Sequence, residues 1–235
     1  GADTIMIQTL VPTFVDHIVS LSSITDLRQL IGKTGGVNRS GSTSDLGLRL
    51  ALRRVGINPE KDTNIITAGD APTRLAAMSR GFLQFTIMPE PFVQEAEKFG
   101  FRDLLDTSTL GIPFHWNAVL TRESITRSKR GMIANVVRAN TEAIYFIKMN
   151  REDSKAIFSK YLNLKNPEGL ERAVRAYAKV FPEVPTPSPE GVKTMLDDLA
   201  PRNPKAQGAD PRQYVDLSFV RELESSGFIK RLYGK

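Results

Sequence analysis

The 235-residue chain has no cysteine, only two histidines and a single tryptophan. Without cysteine, disulfide bonds, thiolate nucleophiles and cysteine-ligated zinc sites are excluded. His17 and His115 are the only sources of imidazole nitrogen, and no loop carries the regularly spaced acidic residues of a calcium site. We therefore predict that the chain uses neither a metal nor a cofactor.

Long hydrophobic runs and a strong excess of one charge are also lacking. No stretch reaches the roughly 18 uninterrupted apolar residues that a membrane span needs. The net charge of +6 arises from 32 basic and 26 acidic residues, and the densest basic patches, at 127–130 and 230–231, are small. Interspersed charges of this kind favour solvated surfaces over a nucleic-acid interface. No secretory signal is recognisable at the start of the chain.

Strand and helix patterns alternate through the first half of the chain. Strands are predicted at 4–8 and 17–19, and the extended chain of the first strand is interrupted at 11–13. A short helix is predicted at 24–31, with Ser23 or Thr25 as its N-cap. Three strand–loop–helix units follow, with strands at 35–38, 64–67 and 84–88 and helices at 44–55, 72–80 and 91–99. Glycine stands just past the first two of those helices, at Gly56 and Gly81, where a C-terminal cap belongs. This alternation predicts an α/β fold with a parallel sheet and right-handed crossovers.

After two further predicted strands at 101–106 and 117–121, the pattern becomes helical. Apolar residues recur near helical spacing, and the predicted helices cover 132–149, 154–161, 168–180, 189–199 and 218–224. A proline-rich connector occupies 184–189.

Three loops leave the carboxyl ends of the predicted parallel strands, where α/β sheets bind their ligands. In the first loop Ser42, Thr43 and Ser44 bring hydroxyl groups to a helix N-terminus. Free N–H groups and the helix dipole would favour an oxyanion there, but simple N-capping explains the same residues. The loop lacks the lysine and glycine spacing of nucleotide-binding motifs.

The second and third loops offer charged candidates, each with two interpretations. Thr73 and Arg74 lie in the first turn of a helix. Arg74 could clamp a carboxylate, sulfonate or phosphate, or it is a surface arginine or a partner for Asp70. Glu90 stands between Pro89 and a second proline in a stiff loop. It would attract an amine or a cation, or it is a solvated acid.

A fourth candidate is the aromatic segment at 111–117, which contains Trp116 and Asn117. Trp116 would serve the core or a hinge, or it would form a wall against an apolar or heterocyclic ligand. No catalytic motif accompanies any of these residues, so we predict a protein that is not an enzyme.

The order of four segments resembles a known family. ITDLRQLIGKTGGVNRSGSTSDL at 24–46, GDAPTRLAAMSRG at 69–81, PSPEG at 187–191 and VDLSFVRELESSGFI at 215–229 are similar to segments of substrate-binding proteins of ABC importers. The nearest branch is the nitrate, sulfonate and taurine group, which includes binders of thiamine-pyrimidine precursors. The resemblance extends over nearly the whole chain.

The resemblance implies a type II periplasmic-binding-protein-like fold with two α/β lobes that close around a ligand. Residues 23–120 would form the complete second lobe, residues 1–22 the remainder of the first lobe with a crossover, and residues 121–235 a mainly helical return to the first lobe. The first lobe would then be truncated, with Gly1 inside it.

The resemblance also implies ligand contacts and a role. The matched loops at Ser42–Ser44, Thr73 and Pro89–Pro91 would bind the ligand, with Thr9 and Leu10 at the edge of the first lobe. The expected function is capture of a sulfonate, nitrate, taurine or pyrimidine-like solute in an interlobe cleft, outside the cytoplasm (periplasmic in a Gram-negative cell), for delivery to ABC permease subunits. An enzyme on this fold, of thiamine-pyrimidine or menaquinone-pathway type, and an effector-binding sensor are the alternatives.

Two departures from the family pattern affect the identity of the ligand. Gln84 and Phe85 replace an acidic residue followed by a small one, and Glu90 stands where the branch usually has a neutral residue. Both changes leave open whether the ligand is an anion.

Overall fold

A computed structural model describes residues 3–163, 165–201 and 203–234. Gly1, which the resemblance places in the first lobe, lies outside these residues. Contacts divide the chain into two compact units. The first unit contains residues up to 14, 112–165 and 174 onward, and the second unit contains 15–111 and 166–173.

The strands of the described residues are β1 (Thr4–Thr13), β2 (Asp16–Ser20), β3 (Thr34–Val37), β4 (Asn64–Thr67), β5 (Phe85–Pro89), β6 (Arg102–Asp106) and β7 (Pro113–Arg122). The α-helices are α1 (Thr43–Arg54), α2 (Ala71–Ser79), α3 (Phe92–Lys98), α4 (Glu123–Ser128), α5 (Arg130–Met149), α6 (Arg151–Leu162), α7 (Pro167–Val180), α8 (Pro189–Leu199), α9 (Ser218–Ser225) and α10 (Phe228–Leu232). Short 3₁₀ helices occur at Leu27–Leu30, Thr107–Leu110 and Pro211–Tyr214.

The second unit is built on a five-stranded sheet in the order β4-β3-β5-β2-β6. β3 pairs in parallel with β4 and β5, whereas β2 pairs antiparallel with both β5 and β6. The predicted parallel pairing is confirmed for β3, β4 and β5, and the sheet as a whole is mixed because β2 runs against the other four strands. β2 follows β1 directly, without a crossover helix, and sequence alternation alone does not reveal the direction of such a strand.

Both faces of this sheet are buried. Ile18 and Val19 are neighbours on β2, so their side chains point to opposite faces. Ile18 packs in a cluster with residues of α1, and Val19 packs in another with residues of α2 and α3. A sheet covered on both faces by helices is the layered α/β architecture that the sequence pattern predicts.

The first unit contains the antiparallel pair β1–β7 and most of the helices. The predicted interruption of the first strand at 11–13 is wrong, because β1 continues to Thr13. Pro12 is accommodated where the pairing is irregular, between the partners of Val11 and Thr13. Ile7 of β1 packs with residues of α5 and α9 in the core of this unit. Within the described residues, no helix is long and apolar enough to cross a membrane.

The unit boundaries differ from the predicted domains 1–22, 23–120 and 121–235. β2 joins the sheet of the second unit, and β7 pairs with β1 in the first unit. The predicted helix at 24–31 is a 3₁₀ helix at Leu27–Leu30, and its capping residue is Asp26 instead of Ser23 or Thr25. The short helices α4 and α10 were not foreseen from the pattern.

Candidate functional site

Three loops of the second unit meet at the carboxyl ends of β3, β4 and β5. Hydrogen bonds join the first loop to the second, from the Ala68 amide to the Val37 carbonyl (2.8 Å) and from the Gly69 amide to the Asn38 carbonyl (3.2 Å). Arg74 joins the second loop to β5 by donating to the Ile87 carbonyl (2.9 Å). We call residues 38–45, 68–74 and 89–91 together the strand-end face. The predicted residues Ser42, Thr73 and Glu90 all belong to it.

In the first loop, Ser42 is the N-cap of α1. Its Oγ accepts from the Asp45 amide (3.4 Å) and donates to the Arg39 carbonyl (2.7 Å). Ser44 Oγ accepts from the Asn38 amide (3.0 Å). Two of the three predicted hydroxyls therefore hold the loop and the helix start together, as the capping interpretation requires. Thr43, the third, is exposed.

Asp45 is an important residue of this loop that the sequence analysis missed. Its side chain is buried, and it accepts from the Gly41 amide (2.8 Å) and from Arg49 Nε (2.7 Å). The carboxylate therefore supplies negative charge at the N-terminus of α1, where the oxyanion of a ligand was one expectation. The sequence contained a signal for this role, because Asp45 is an acidic residue in the first turn of a predicted helix.

In the second loop, Asp70 is the N-cap of α2. Asp70 Oδ1 accepts from the Thr73 hydroxyl (2.5 Å) and from the Thr73 amide (3.0 Å). These two hydrogen bonds, the side-chain one first, hold the pKa of Asp70 below its ordinary value. Thr73 is exposed, so its oxygen stays accessible as an acceptor at the strand-end face.

Arg74 is not a surface arginine in this structure. Only 3% of it is exposed. Nε donates to Thr86 Oγ1 (2.9 Å), Nη1 to the Gly69 carbonyl (2.5 Å) and Nη2 to the Ile87 carbonyl (2.9 Å). Burial lowers the pKa of the guanidinium, against the opposing charges of Asp16 and Asp70. Arg74 thus fastens the second loop to β5, and its charge also interacts with that of Asp70, the partner that one interpretation gave it.

The third loop follows β5, which ends at the half-buried Pro89. Glu90 is 7% exposed, so the interpretation as a solvated acid is wrong. Its Oε1 accepts a hydrogen bond from Arg172 Nε (2.8 Å) and forms an ion pair with Arg172 Nη2 (2.6 Å). Arg172 also pairs with Glu97 on α3. Nothing in the sequence connected Glu90 with a residue of α7.

The remaining predicted residues belong to the first unit. Thr9 is buried, and its hydroxyl bonds to His115 Nδ1 (3.0 Å), while His115 Nε2 bonds to the Ser188 carbonyl (2.9 Å). Because a carbonyl only accepts, Nε2 carries the proton and Nδ1 accepts from Thr9. Thr9 therefore serves the packing of its own unit, and Leu10 beside it is half-buried.

Trp116 is half-buried in a group of aromatic rings in the first unit. Its ring centroid lies 6.3 Å from that of Tyr177, and Tyr177 is 6.4 Å from Phe158 and 5.8 Å from Phe181. Asn117 is exposed and pairs with Val11 in the β1–β7 ladder. The packing of Trp116 fits the structural interpretation. Because the ring is also partly exposed, its role as a wall against a ligand stays a prediction.

The two histidines have opposite electrostatic environments. Burial lowers the pKa of His17, but hydrogen bonding to Asp103 (2.8 Å) and the charges of Asp103, Asp106 and Glu90 outweigh it, so the pKa is raised overall. Burial lowers the pKa of His115, and its bond to the Ser188 carbonyl only partly opposes this.

We expect the two histidines to give pH dependences of opposite sign. A raised folded pKa means that His17 contributes stability below the unfolded pKa of about 6.5 and loses it as pH rises through the folded value. Substitution His17→Gln should therefore lower the urea midpoint more at pH 5.5 than at pH 8.5. For His115→Gln the loss should be larger at pH 8.5, because the buried neutral ring stabilises the fold above the unfolded pKa. If both variants lost more stability at the same one of these two pH values, the assignment of opposite pKa shifts would be contradicted.

The model of the NMT1-like family matches residues 24–163, more than half of the chain. The chain belongs to the NMT1-like family. Among curated proteins, the comparison gives no match.

Solved structures share the fold of this NMT1-like protein. The alkanesulfonate-binding protein SsuA of Xanthomonas axonopodis pv. citri, bound to MOPS, superposes with a TM-score of 0.71 at 17% identity, covering 92% of this chain and 74% of that one. The periplasmic aliphatic sulphonate binding protein SsuA of Escherichia coli gives 0.69 at 22% identity, covering 92% and 70%. The desulfurization enzyme DSZB gives 0.65 at 12% identity, covering 96% and 80%. The fold is thus the periplasmic-binding-protein fold that the sequence analysis predicts.

Proposed function

We propose that this chain is the extracytoplasmic solute-binding component of an ABC importer, and that the strand-end face supplies ligand contacts. The observation that carries the proposal is that three strand-to-helix loops follow the carboxyl ends of the parallel strands β3, β4 and β5 at one edge of the sheet. Hydrogen bonds join the second loop to the first loop and to β5. In open α/β sheets this edge is the usual place for a ligand. Family membership and the SsuA neighbours support the same class of function.

The strand-end face suits reversible capture of a small solute. Thr43 and Thr73 are exposed there, and the amides of Thr43 and Ser44 stand at the first two positions of α1 without an intrahelical partner. Such groups replace the water around a polar solute and fix its orientation. In this function the chain also binds the permease subunits, which receive the solute.

We expect a binding solute to raise the melting temperature of the chain. At a concentration 1,000 times its Kd, a ligand that binds only the folded state adds about 4 kcal/mol of stability. The measurement is a thermal-shift screen of alkanesulfonates, nitrate, pyrimidines and aromatic carboxylates, with hits confirmed by calorimetry. If no compound in this panel moves the melting temperature, the result counts strongly against the proposal.

The contribution of the strand-end face is tested with a matched pair of variants. Thr73→Val removes an exposed hydroxyl but keeps the shape of the side chain, and it should weaken binding of any hit about three- to tenfold. Ser79 is exposed at the other end of α2, and its hydroxyl donates to the Leu75 carbonyl (3.0 Å). Ser79→Ala removes this hydroxyl and should leave the affinity unchanged. Equal affinities in the two variants would argue against Thr73 as a contact.

An enzyme on this fold is the second candidate, because the desulfurization enzyme DSZB shares the architecture. A catalyst converts its ligand, whereas a transport component returns it unchanged. We expect the proton NMR spectrum of any confirmed ligand to be the same before and after prolonged incubation with the protein. New product signals that depend on the folded protein would favour the enzyme.

A further inference from the structure

An irregularity in the pairing of β6 with β2 brings two carboxylates of β6 to the same face of the sheet. Asp103 and Asp106 are three residues apart, and in a regular strand such residues point to opposite faces. His17 pairs with Asp106 and Val19 with Asp103, and the register shifts between these pairs because β6 contains one extra residue there. A β-bulge of this kind redirects side chains. Both carboxylates therefore lie on the face of His17.

The two ring nitrogens of His17 meet these two carboxylates. Nδ1 lies 2.8 Å from Asp103 Oδ2 and Nε2 lies 4.0 Å from Asp106 Oδ1, and the His17 side chain is only 14% exposed. The other oxygen of Asp103, Oδ1, is buried without a hydrogen bond to any described residue. A neutral imidazole has a single N–H, whereas an imidazolium has one on each nitrogen and a positive charge. Only the protonated ring can therefore donate toward both carboxylates.

The other charges around His17 come from the loop after β5 and from two helices. Glu90, which is paired with Arg172, is a third carboxylate whose charge acts on the ring. Burial lowers the pKa of His17, but the three carboxylates raise it overall. The helices α2 and α3 cover the face of the sheet on which His17 lies. Their charged side chains are those of Arg74 on α2 and of Glu95, Glu97 and Lys98 on α3.

The strand that carries Asp103 and Asp106 lies at an edge of the sheet. β6 pairs with β2 on one side only. It leads into the 3₁₀ helix at Thr107–Leu110, where Thr107 Oγ1 donates to the Asp16 carbonyl (2.6 Å), and the chain passes to the first unit after Gly111. Edge elements with few partners open more readily than the centre of a sheet. The attachment of β6 therefore depends on β2 and on the side chains that bridge the two strands.

We propose that His17 is a pH-dependent clamp that holds the edge strand β6 on β2, tight when the ring is protonated and loose when it is neutral. A charged donor makes a hydrogen bond about twice as strong as a neutral one, so loss of the proton weakens the contact with both carboxylates. The inference does not depend on the proposed function and needs no ligand. The competing explanation is a uniform pH dependence of the second unit, in which β6 opens no more than the rest of the sheet.

Amide hydrogen exchange at pH 5.5 and pH 8.5 separates the two explanations. Protection factors, corrected for the intrinsic pH dependence of exchange, are compared between β6 and β4. β4 is the other edge strand of the same sheet, and its four residues carry no titratable side chain. From pH 5.5 to pH 8.5, the protection of β6 should fall about three- to tenfold relative to that of β4, the difference between a charged and a neutral hydrogen bond. A constant or rising ratio in the wild-type protein would overturn the proposal.

Three variants assign the effect to the clamp. His17→Gln keeps a hydrogen-bonding side chain but removes the titration, so the ratio of β6 to β4 protection should no longer depend on pH. Asp103→Asn removes the charge of the nearer carboxylate and should reduce the pH dependence. His115→Gln changes the other histidine, which lies in the first unit, and should leave the dependence as in the wild type. If His17→Gln retains the wild-type pH dependence, another group controls β6 and the clamp is wrong.

Discussion

Replacing Arg74 with methionine is expected to lower the stability of the second unit by about 3 kcal/mol, the cost of leaving several buried acceptors unpaired. The guanidinium donates to Thr86 Oγ1 and to the carbonyls of Gly69 and Ile87, and methionine fills similar volume without any donor. Chemical denaturation followed by far-UV circular dichroism measures the loss. Hydrogen exchange of β5 amides assigns it to the second unit.

Two control substitutions sharpen this result. Arg80→Met changes an exposed arginine at the end of the same helix and should alter stability by less than about 0.5 kcal/mol. Arg74→Lys should recover only part of the loss, because an ammonium group lacks the planar fork that reaches three acceptors. If Arg74→Met unfolds at the same denaturant concentration as the wild type, the three hydrogen bonds do not contribute as the structure indicates.

The position of Arg74 could have been predicted from the helix itself. Ala71, Arg74, Leu75 and Met78 follow the spacing of a buried stripe, and all four are buried. An arginine on that stripe must find acceptors inside the protein. The sequence analysis considered only the charge of Arg74 and its place in the first turn, and it therefore missed the hydrogen bonds to β5.

Local sequence signals predicted the helices and strands, but they did not predict which residues distant in the chain pair with each other. Gly56 and Gly81 adopt positive φ (82° and 78°) just beyond α1 and α2, as expected for residues that end helices. The capping role of Ser42 was likewise readable from its neighbours. The partner of Glu90, however, lies 82 residues away at Arg172. No spacing rule connects such residues, so the balance of charge on the third loop became visible only in the structure.

The direction of β2 illustrates the same limit for the fold. His17–Val19 was predicted as extended from its composition, and it is part of a strand. Its antiparallel pairing with both β5 and β6 joins it to strands that lie about 70 to 90 residues further along the chain. A short hydrophobic segment carries no signal for that, whereas the helical connections between β3, β4 and β5 do predict parallel neighbours.

Gly35→Ala is expected to destabilise the second unit by about 3 kcal/mol, at the upper end for overpacking a core. Gly35 lies on β3, which has a partner strand on each side, and a Cβ atom there would come within 2.5 Å of Phe85 Cε2. The Phe85 ring is fully buried, and in a close-packed core a shift of the ring displaces its neighbours. Gly131→Ala is the matched control, because a Cβ there meets nothing and alanine favours the helix α5, so this variant should gain up to about 1 kcal/mol.

A double-mutant cycle shows whether the Phe85 ring is the cause. Phe85→Leu alone should cost roughly 1 to 2 kcal/mol through lost packing, but it also removes the ring atoms that a Cβ at position 35 would meet. The double variant should therefore be more stable than the sum of the two single losses by roughly 1 to 2 kcal/mol, as expected for residues in direct contact. Strictly additive losses would show that alanine at position 35 acts through the backbone of β3, and the steric explanation would then fail.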